Sequence, residues 1–320
     1  LLKTLGLAVL NSGDIVVVIV NWNAGRQLLD CVESVLSHGH DLVSTIVVVD
    51  NGSSDGSEAL VEGMPKIKLV RAGSNLGFGK ACNLGAAGVE SKFLLFLNPD
   101  AKIFANTLEC ALGFMTCPEN DYVGICGVKL LDEHEHVARS CARFPTPGGL
   151  LASSLGLDRV FPSVGHFMHE WDHLNTRIVD HVIGAFFLVR ASVFTRLGGF
   201  DERFFVYLED LDFSKRANAE GWSSIYLAEA QAFHAGGGTS RQVKARRLFY
   251  SLRSRILYAY KHFGFAGGGT VLFATMCIEP ISRTVLGLAR GSIGAVTETR
   301  SAYAMLLRWL PQWWFRGKTR

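Results

Sequence analysis

No C-x-x-C pair occurs in this 320-residue sequence, and its seven cysteines are odd in number. A zinc ribbon and a disulfide framework are therefore excluded as the devices that hold the fold together. Several of the seven (Cys31, Cys82, Cys110, Cys117, Cys126, Cys141 and Cys277) sit in apolar company and read as small core residues in a reducing cytosol. No internal repeat is visible, which leaves no basis for a solenoid. Long apolar runs are lacking as well. Phe263 to Ile278 holds sixteen residues without a formal charge, short of the roughly 20 that span a bilayer, and Glu279, Pro280 and Arg283 then interrupt it. Leu1 to Leu10 is apolar but shorter still. Without a clear charged n-region or cleavage site it is not read as a signal peptide.

Acid is nearly missing from the end of the chain. From Arg241 to Arg320, 14 Lys/Arg face only Glu279 and Glu298, a balance of +12, whereas residues 1–240 carry 18 Lys/Arg and 27 Asp/Glu, a balance of −9. An acidic body with a basic tail suggests that the tail meets an anionic surface. Its charges are interleaved with Leu, Phe, Ile and Trp, and Trp309, Trp313 and Trp314 stand beside Arg308 and Arg316. That mixture favours lipid over nucleic acid and predicts an interfacial amphipathic anchor. The plainer reading is a helical subdomain that packs on the body or forms a homodimer.

What the chain has in quantity is apolar residues, 48% against 19% charged, enough for a sizeable core. Ile15-Val16-Val17-Val18-Ile19-Val20 and Ile46-Val47-Val48-Val49 are β-branched runs of the kind buried on both faces of a sheet. Between them, Leu28, Leu29, Val32, Val35 and Leu36 keep helical spacing. Residues 67–70 and 93–97 predict two further strands, with a Gly/Ala-rich helix over 77–90. This alternation predicts an α/β fold with a Rossmann-like, mostly parallel sheet flanked by helices. Residues 130–180 have weak periodicity and read as irregular structure. Val182–Val189 and Trp222–Tyr226 predict strands, and His234-Ala235-Gly236-Gly237-Gly238 a flexible loop. From Lys244 onward the pattern is helical, so two domains are expected, 1–240 and 241–320, the second a helical extension.

Ligands in such sheets bind beyond the carboxyl ends of the strands, which here carry Asn21-Trp22-Asn23, Asp50-Asn51-Gly52 and Asn98-Pro99-Asp100. Gly77-Phe78-Gly79-Lys80-Ala81-Cys82 completes neither the P-loop nor the dinucleotide fingerprint, which disfavours a kinase or a dehydrogenase. It reads as a turn into a helix packed close on the sheet. Asp100 at a strand end is placed to hold a hard cation against a diphosphate, although an Asx or Pro turn is the plainer reading. His234 is a lone histidine that could complete such a site. In Glu209-Asp210-Leu211-Asp212, three carboxylates crowd within four residues after an apolar stretch. Either a carboxylate is poised there for proton transfer, or a helix opens with acids and Asp212 pairs with Arg216.

The order of these features resembles the inverting, GT-A-fold nucleotide-sugar glycosyltransferases of family 2, and within them the rhamnosyltransferase-like branch that builds cell-envelope glycans. The matching pieces are Val18–Asn23, Val49–Ser57, Asn75–Asn83, Leu97–Asp100, Gly184-Ala185, Gly198–Phe205, Glu209–Asp212, Gly221-Trp222 and His234, spread over about 15–240. The resemblance implies that Val20, Asn21, Trp22, Asn23, Asp50 and Asn51 face the nucleoside. Asn75 and Asn83 line its pocket, and Asn98 and Asp100 face the diphosphate. It assigns Asp100 and His234 to a divalent metal, Mg or Mn, and Asp210 to the catalytic base, with Glu209 beside it. Two positions depart from the family pattern. Asn98 replaces the first Asp of D-x-D, and His181, after Asp180, stands where relatives frequently have Trp.

The function implied is transfer of a sugar, L-rhamnose from dTDP-rhamnose as the best match, to a polyprenyl-diphosphate-linked or other glycan acceptor. The enzyme is expected to be cytoplasmic and peripheral on the inner face of the cytoplasmic membrane. Another hexosyl donor on the same scaffold is the first alternative. A catalytically silent sugar- or nucleotide-binding module that recruits partners at the membrane is the second.

Overall fold

The computed structural model describes residues 13–236 and 243–319. The expectations on Leu1–Leu10 and on Gly237-Gly238 lie outside the described residues. The chain divides into two compact units. The first is built on a sheet and comprises residues up to 142, 171–201 and 210–239. The second is helical and comprises 143–170, 202–209 and the segment from 240 on. By compactness, 143–170 and 202–209 group with the segment from 240 on.

In the first unit, the two β-branched runs form β1 (Ile15–Asn21) and β2 (Val43–Asp50), with α1 (Arg26–His38) between them. Every residue of β1 is buried, as a strand covered on both faces requires. After β3 (Ile67–Arg71) and α2 (Phe78–Ala86) the chain enters β4 (Phe93–Leu97), then β5 (Ala101–Ile103), α3 (Thr107–Thr116) and β6 (Val123–Leu131). The remaining elements are β7 (Cys141–Ala142), α4 (Pro147–Ser154), β8 (Arg177–Val179), β9 (His181–Val182), β10 (Phe186–Arg190), α5 (Ala191–Arg196), α6 (Glu209–Ala219) and β11 (Ser223–His234). Of these, α4 belongs to the helical unit.

The main sheet runs β3-β2-β1-β4-β10-β6-β11-β5, with β8 paired to β11. The first four strands are parallel. β10 is antiparallel to both neighbours, and β5 is antiparallel to β11, so the far half of the sheet is mixed. The strand expected over 182–189 is split into β9 and β10 at Gly184-Ala185. β11 runs on past Tyr226 to His234, so His234 closes a strand and does not open a loop.

The strand order reverses between β1 and β4, a topological switch point where α/β sheets open a ligand crevice. α2 packs flush on this region. A Cβ on Gly85 would lie 2.6 Å from Val18 Cγ1 and 2.9 Å from Val49 Cγ2, so only glycine allows the approach.

The second unit carries α4, α7 (Lys244–Phe273), a π-helical turn over Ala274–Ile278, α8 (Glu279–Ala289) and α9 (Ile293–Arg316). Thr146 caps α4 by accepting from Gly149 N, with Pro147 in the first turn, where no amide hydrogen is needed. Ser292 caps α9. Gly264, at φ 66° and ψ −167°, breaks α7. Glu279 is buried between Arg255 and Arg283, which neutralise it.

Candidate active site

Three groups of side chains gather at strand ends in the sheet unit. The first lies beyond β1 and β2. Their register sets Asn21 beside Asp50. The buried Asn21 amide donates to Asp50 Oδ1 at 3.2 Å, Ser53 Oγ at 3.1 Å and Ser57 Oγ at 2.8 Å. Asn23, held at φ 54°, accepts from Ser54 N at 2.7 Å. Asn51 Oδ1 accepts from Leu76 N at 2.7 Å, while its Nδ2 reaches Asn75 Oδ1 at 3.2 Å. Gly52, at φ 75°, lets the two loops touch, since a Cβ there would lie 2.8 Å from the Ser74 carbonyl carbon. These bonds fix a rigid rim before any ligand arrives. Val20 is buried inside β1, Trp22 is half-buried and Asn75 is exposed.

Asn83 is engaged by the backbone of a distant turn. Its Nδ2 donates to Phe200 O at 2.8 Å and its Oδ1 accepts from Phe200 N at 2.9 Å. The amide thus holds the Gly198-Gly199-Phe200 turn in place.

The second group follows from the pairing of β5 with β11, which sets Ala101 opposite His234. Asp100 Oδ1 and His234 Nε2 come within 3.4 Å, and Asn98 Nδ2 lies 3.5 Å from the same nitrogen. Both Asp100 and His234 are largely buried. No group of three or more His, Cys, Asp or Glu among the described residues could cage a metal. A carboxylate and an imidazole converging at a strand end nevertheless fit Mg²⁺ or Mn²⁺. Such ions keep several sites for water and phosphate oxygens and need only one or two protein ligands.

The third group surrounds Asp210. The acidic cluster separates into three settings. Glu209 is buried at the head of α6. Asp212 is fully buried and pairs with Arg216 at 2.8 Å, the i,i+4 pair anticipated from spacing. Asp210 remains partly accessible, and its Oδ2 accepts from Gly184 N at 2.8 Å while its Oδ1 accepts from Leu211 N at 2.8 Å. Just before the cluster, Tyr207 and Leu208 both hold left-handed backbone, φ 70° and 68°. Two successive side-chain-bearing residues there are strained, and such strain collects at functional sites.

Gly184-Ala185 joins the second and third groups. Asn98 N donates to Ala185 O at 3.0 Å, and Gly184 N holds Asp210. A methyl on Gly184 would sit 3.1 Å from Asp210 Oδ2. The Asn98–Asp100 turn and Asp210 are thus hydrogen-bonded to two adjacent residues of one backbone segment.

His181 is the residue whose role the sequence did not reveal. It is buried, with Nε2 3.6 Å from Asp210 Oδ2 and Nδ1 3.0 Å from Ser214 Oγ. Burial holds its pKa below the ordinary histidine value, against the opposing pull of Asp210 and Asp180. The available signal was the spacing of Asp210 and Ser214, one helical turn apart on one face.

The chain is 28% identical over 263 residues to an N-acetylglucosaminyl-diphospho-decaprenol L-rhamnosyltransferase of Mycobacterium tuberculosis, covering 78% of this chain and 85% of that protein. It is 25% identical over 249 residues to the rhamnosyltransferase WbbL of Escherichia coli K12, covering 70% and 90% respectively. A mannosyltransferase of Pyrobaculum calidifontis, solved with GDP-Man and Mn²⁺, superposes with a TM-score of 0.55 at 18% identity, over 93% of this chain and 81% of that one. At that identity it speaks for the fold alone. Residues 16–197 match the family described as Glycosyl transferase family 2, more than half of the sequence. The chain belongs to glycosyl transferase family 2.

Proposed function

We propose that this glycosyltransferase is an inverting enzyme that moves L-rhamnose from dTDP-rhamnose to a polyprenyl-diphosphate-linked glycan at the inner face of the cytoplasmic membrane. One observation carries the catalytic part. Gly184 holds Asp210 and Ala185 holds the Asn98–Asp100 turn, which supports reading Asp210 as a base beside the strand ends that this proposal gives to the nucleotide diphosphate. The donor sugar and lipid-linked acceptor rest on the relatives, whose names specify rhamnosyl transfer and, for the mycobacterial protein, a decaprenyl diphosphate acceptor.

The acceptor hydroxyl oxygen attacks the anomeric carbon as the bond from that carbon to the diphosphate oxygen breaks. The hydroxyl proton passes to Asp210, and the electron pair leaves with the nucleoside diphosphate. Gly184 N anchors Asp210 Oδ2 and Leu211 N occupies one lone pair of Oδ1, whose other lone pair remains for that proton. Asn21, Asn23, Asp50, Asn51 and Asn75 preorganise the nucleoside rim. Asp100 and His234 would hold a Mg²⁺ or Mn²⁺ ion, with Asn98 beside them. When bound, such an ion supplies Lewis-acid stabilisation to the leaving diphosphate.

The test is release of nucleoside diphosphate from a panel of nucleotide sugars, with wild type and Asp210→Asn, in divalent metal and in excess EDTA. Turnover is expected with dTDP-rhamnose, to stop on chelation, and to fall about 10²–10⁴-fold in Asp210→Asn with donor binding retained. Near-normal turnover of that variant would place the base elsewhere. Binding without consumption of any donor would favour a silent recruitment module.

A further inference from the structure

We propose that His181 is a positioning residue for Asp210, donating from Nε2–H to the carboxylate so that, together with Gly184 N–H, it turns Oδ1 toward the acceptor. This rests on the reading of Asp210 as the base. His181 occupies the short strand β9, where β7 sets the uncharged Ala142 opposite it. Asp210 and Ser214 stand one turn apart on α6, and the imidazole bridges them at 3.6 Å and 3.0 Å. The charges that act on it are Asp210 and its own neighbour Asp180.

The tautomer follows from the two partners. A neutral imidazole carries one donor and one acceptor nitrogen, and a carboxylate can only accept. A lone pair on Nε2 facing Asp210 would be repulsive. The proton therefore sits on Nε2, and Ser214 donates its hydroxyl hydrogen to Nδ1. Burial, which disfavours the imidazolium, keeps the ring in this neutral form. The 3.6 Å separation is longer than a formed hydrogen bond, as is common before a substrate closes the site.

A donor at this position restricts rotation of the carboxylate. Loss of the donor should lower kcat by about 10–100-fold, the scale of a misplaced reacting group. Donor KM should hold, because the nucleotide rim is untouched.

Three substitutions separate positioning from packing. His181→Gln can place an amide N–H near the position of Nε2, His181→Asn places it near Nδ1 on the Ser214 side, and His181→Leu removes it. We expect His181→Gln to recover most of the lost kcat at unchanged donor KM. His181→Asn and His181→Leu should show the full loss of kcat. Thermal unfolding of each variant corrects for the folded fraction, and if His181→Leu fails to fold, the Gln/Asn contrast still decides. Equal kcat in Gln and Asn variants, or a loss that appears in donor KM and not in kcat, would overturn the assignment. Asp210→Asn assayed in parallel separates the two claims. If it stays active, the base reading fails. If it is inactive while the His181 variants turn over normally, only the positioning role fails.

Discussion

His181 also links stability to pH. Burial depresses its folded-state pKa, so as pH falls the unfolded chain binds a proton before the folded one does. The stability it contributes is present above the unfolded value of about 6.5 and is lost progressively as pH drops below it. Unfolding midpoints of wild type and His181→Gln, followed from about pH 8 to pH 5, should therefore draw together or cross as the medium becomes acid, with wild type losing more. Parallel curves would show that the ring is not held neutral in the fold. Sequence alone could not place this residue, because the contact that defines it spans from β9 to α6. The same is true of Asn83, whose amide is occupied by the backbone of Phe200, 117 positions away. The sequence marks Asp100, His234 and Asp210 as candidates by local position, at a strand end, before a glycine run and at a helix start, while the side chains they meet are set by distant pairings.

At the scale of elements, α6 is the part that must not move. Phe213 on its inner face packs with Phe187, Phe194 and Phe200, and Phe96 joins them at about 5 Å from Phe194 and Phe200. Arg216 completes the hold. Its Nε meets Asp212, its Nη1 donates to Leu197 O at 2.8 Å, and its Nη2 donates to Gly199 O at 2.7 Å. Arg216→Ala leaves Asp212 buried without the guanidinium. We expect a loss of about 3–5 kcal/mol, the usual cost of breaking a buried pair from one side. Chemical denaturation measures it, and a loss under about 1 kcal/mol would show that solvent or another cation takes over. The parallel strands and α1 were legible from β-branched runs and a helical period. In the mixed half, the cores of β10 and of the first half of β11 were legible, whereas β5, β6 and the second half of β11 were not. β5 has three residues, and the second half of β11 is an alanine-rich alternation whose exposed positions are Glu229 and Gln231. Few large apolar side chains mark those two segments, so pairing partners rather than local pattern decide them.

At the scale of the whole molecule, apolar exposure follows the charge. Of the 21 exposed large hydrophobic residues among those described, 15 belong to the helical unit. On α8, Ile281, Val285 and Leu288 form one exposed stripe at i, i+4, i+7, and Leu307, Trp314 and Phe315 are exposed on α9. We propose that this exposed apolar surface is an interaction site, and the +12 balance of residues 241–320 argues for an anionic partner. By length and composition the helical stretch Lys244–Ala289 could cross a membrane. However, Gly264 breaks it, and the ion-paired Glu279 and Arg283 sit in its second part. Those features favour lying at the interface over spanning it. Liposome co-sedimentation tests this reading with neutral and anionic vesicles at low and high salt. Each basic residue near an anionic surface contributes on the order of 1 kcal/mol, and salt screens it. Binding should therefore be stronger on anionic vesicles and only partly reversed by salt, because inserted Leu, Ile and Trp hold the remainder. Replacing Ile281, Val285 and Leu288 together by Ser should remove the salt-resistant fraction while thermal stability stays near wild type, since these side chains are exposed. Equal partitioning onto neutral and anionic vesicles would eliminate the electrostatic part. If folded protein does not partition at all, the exposed stripe is instead a contact for a second copy of the chain, which sedimentation velocity would reveal as a dimer.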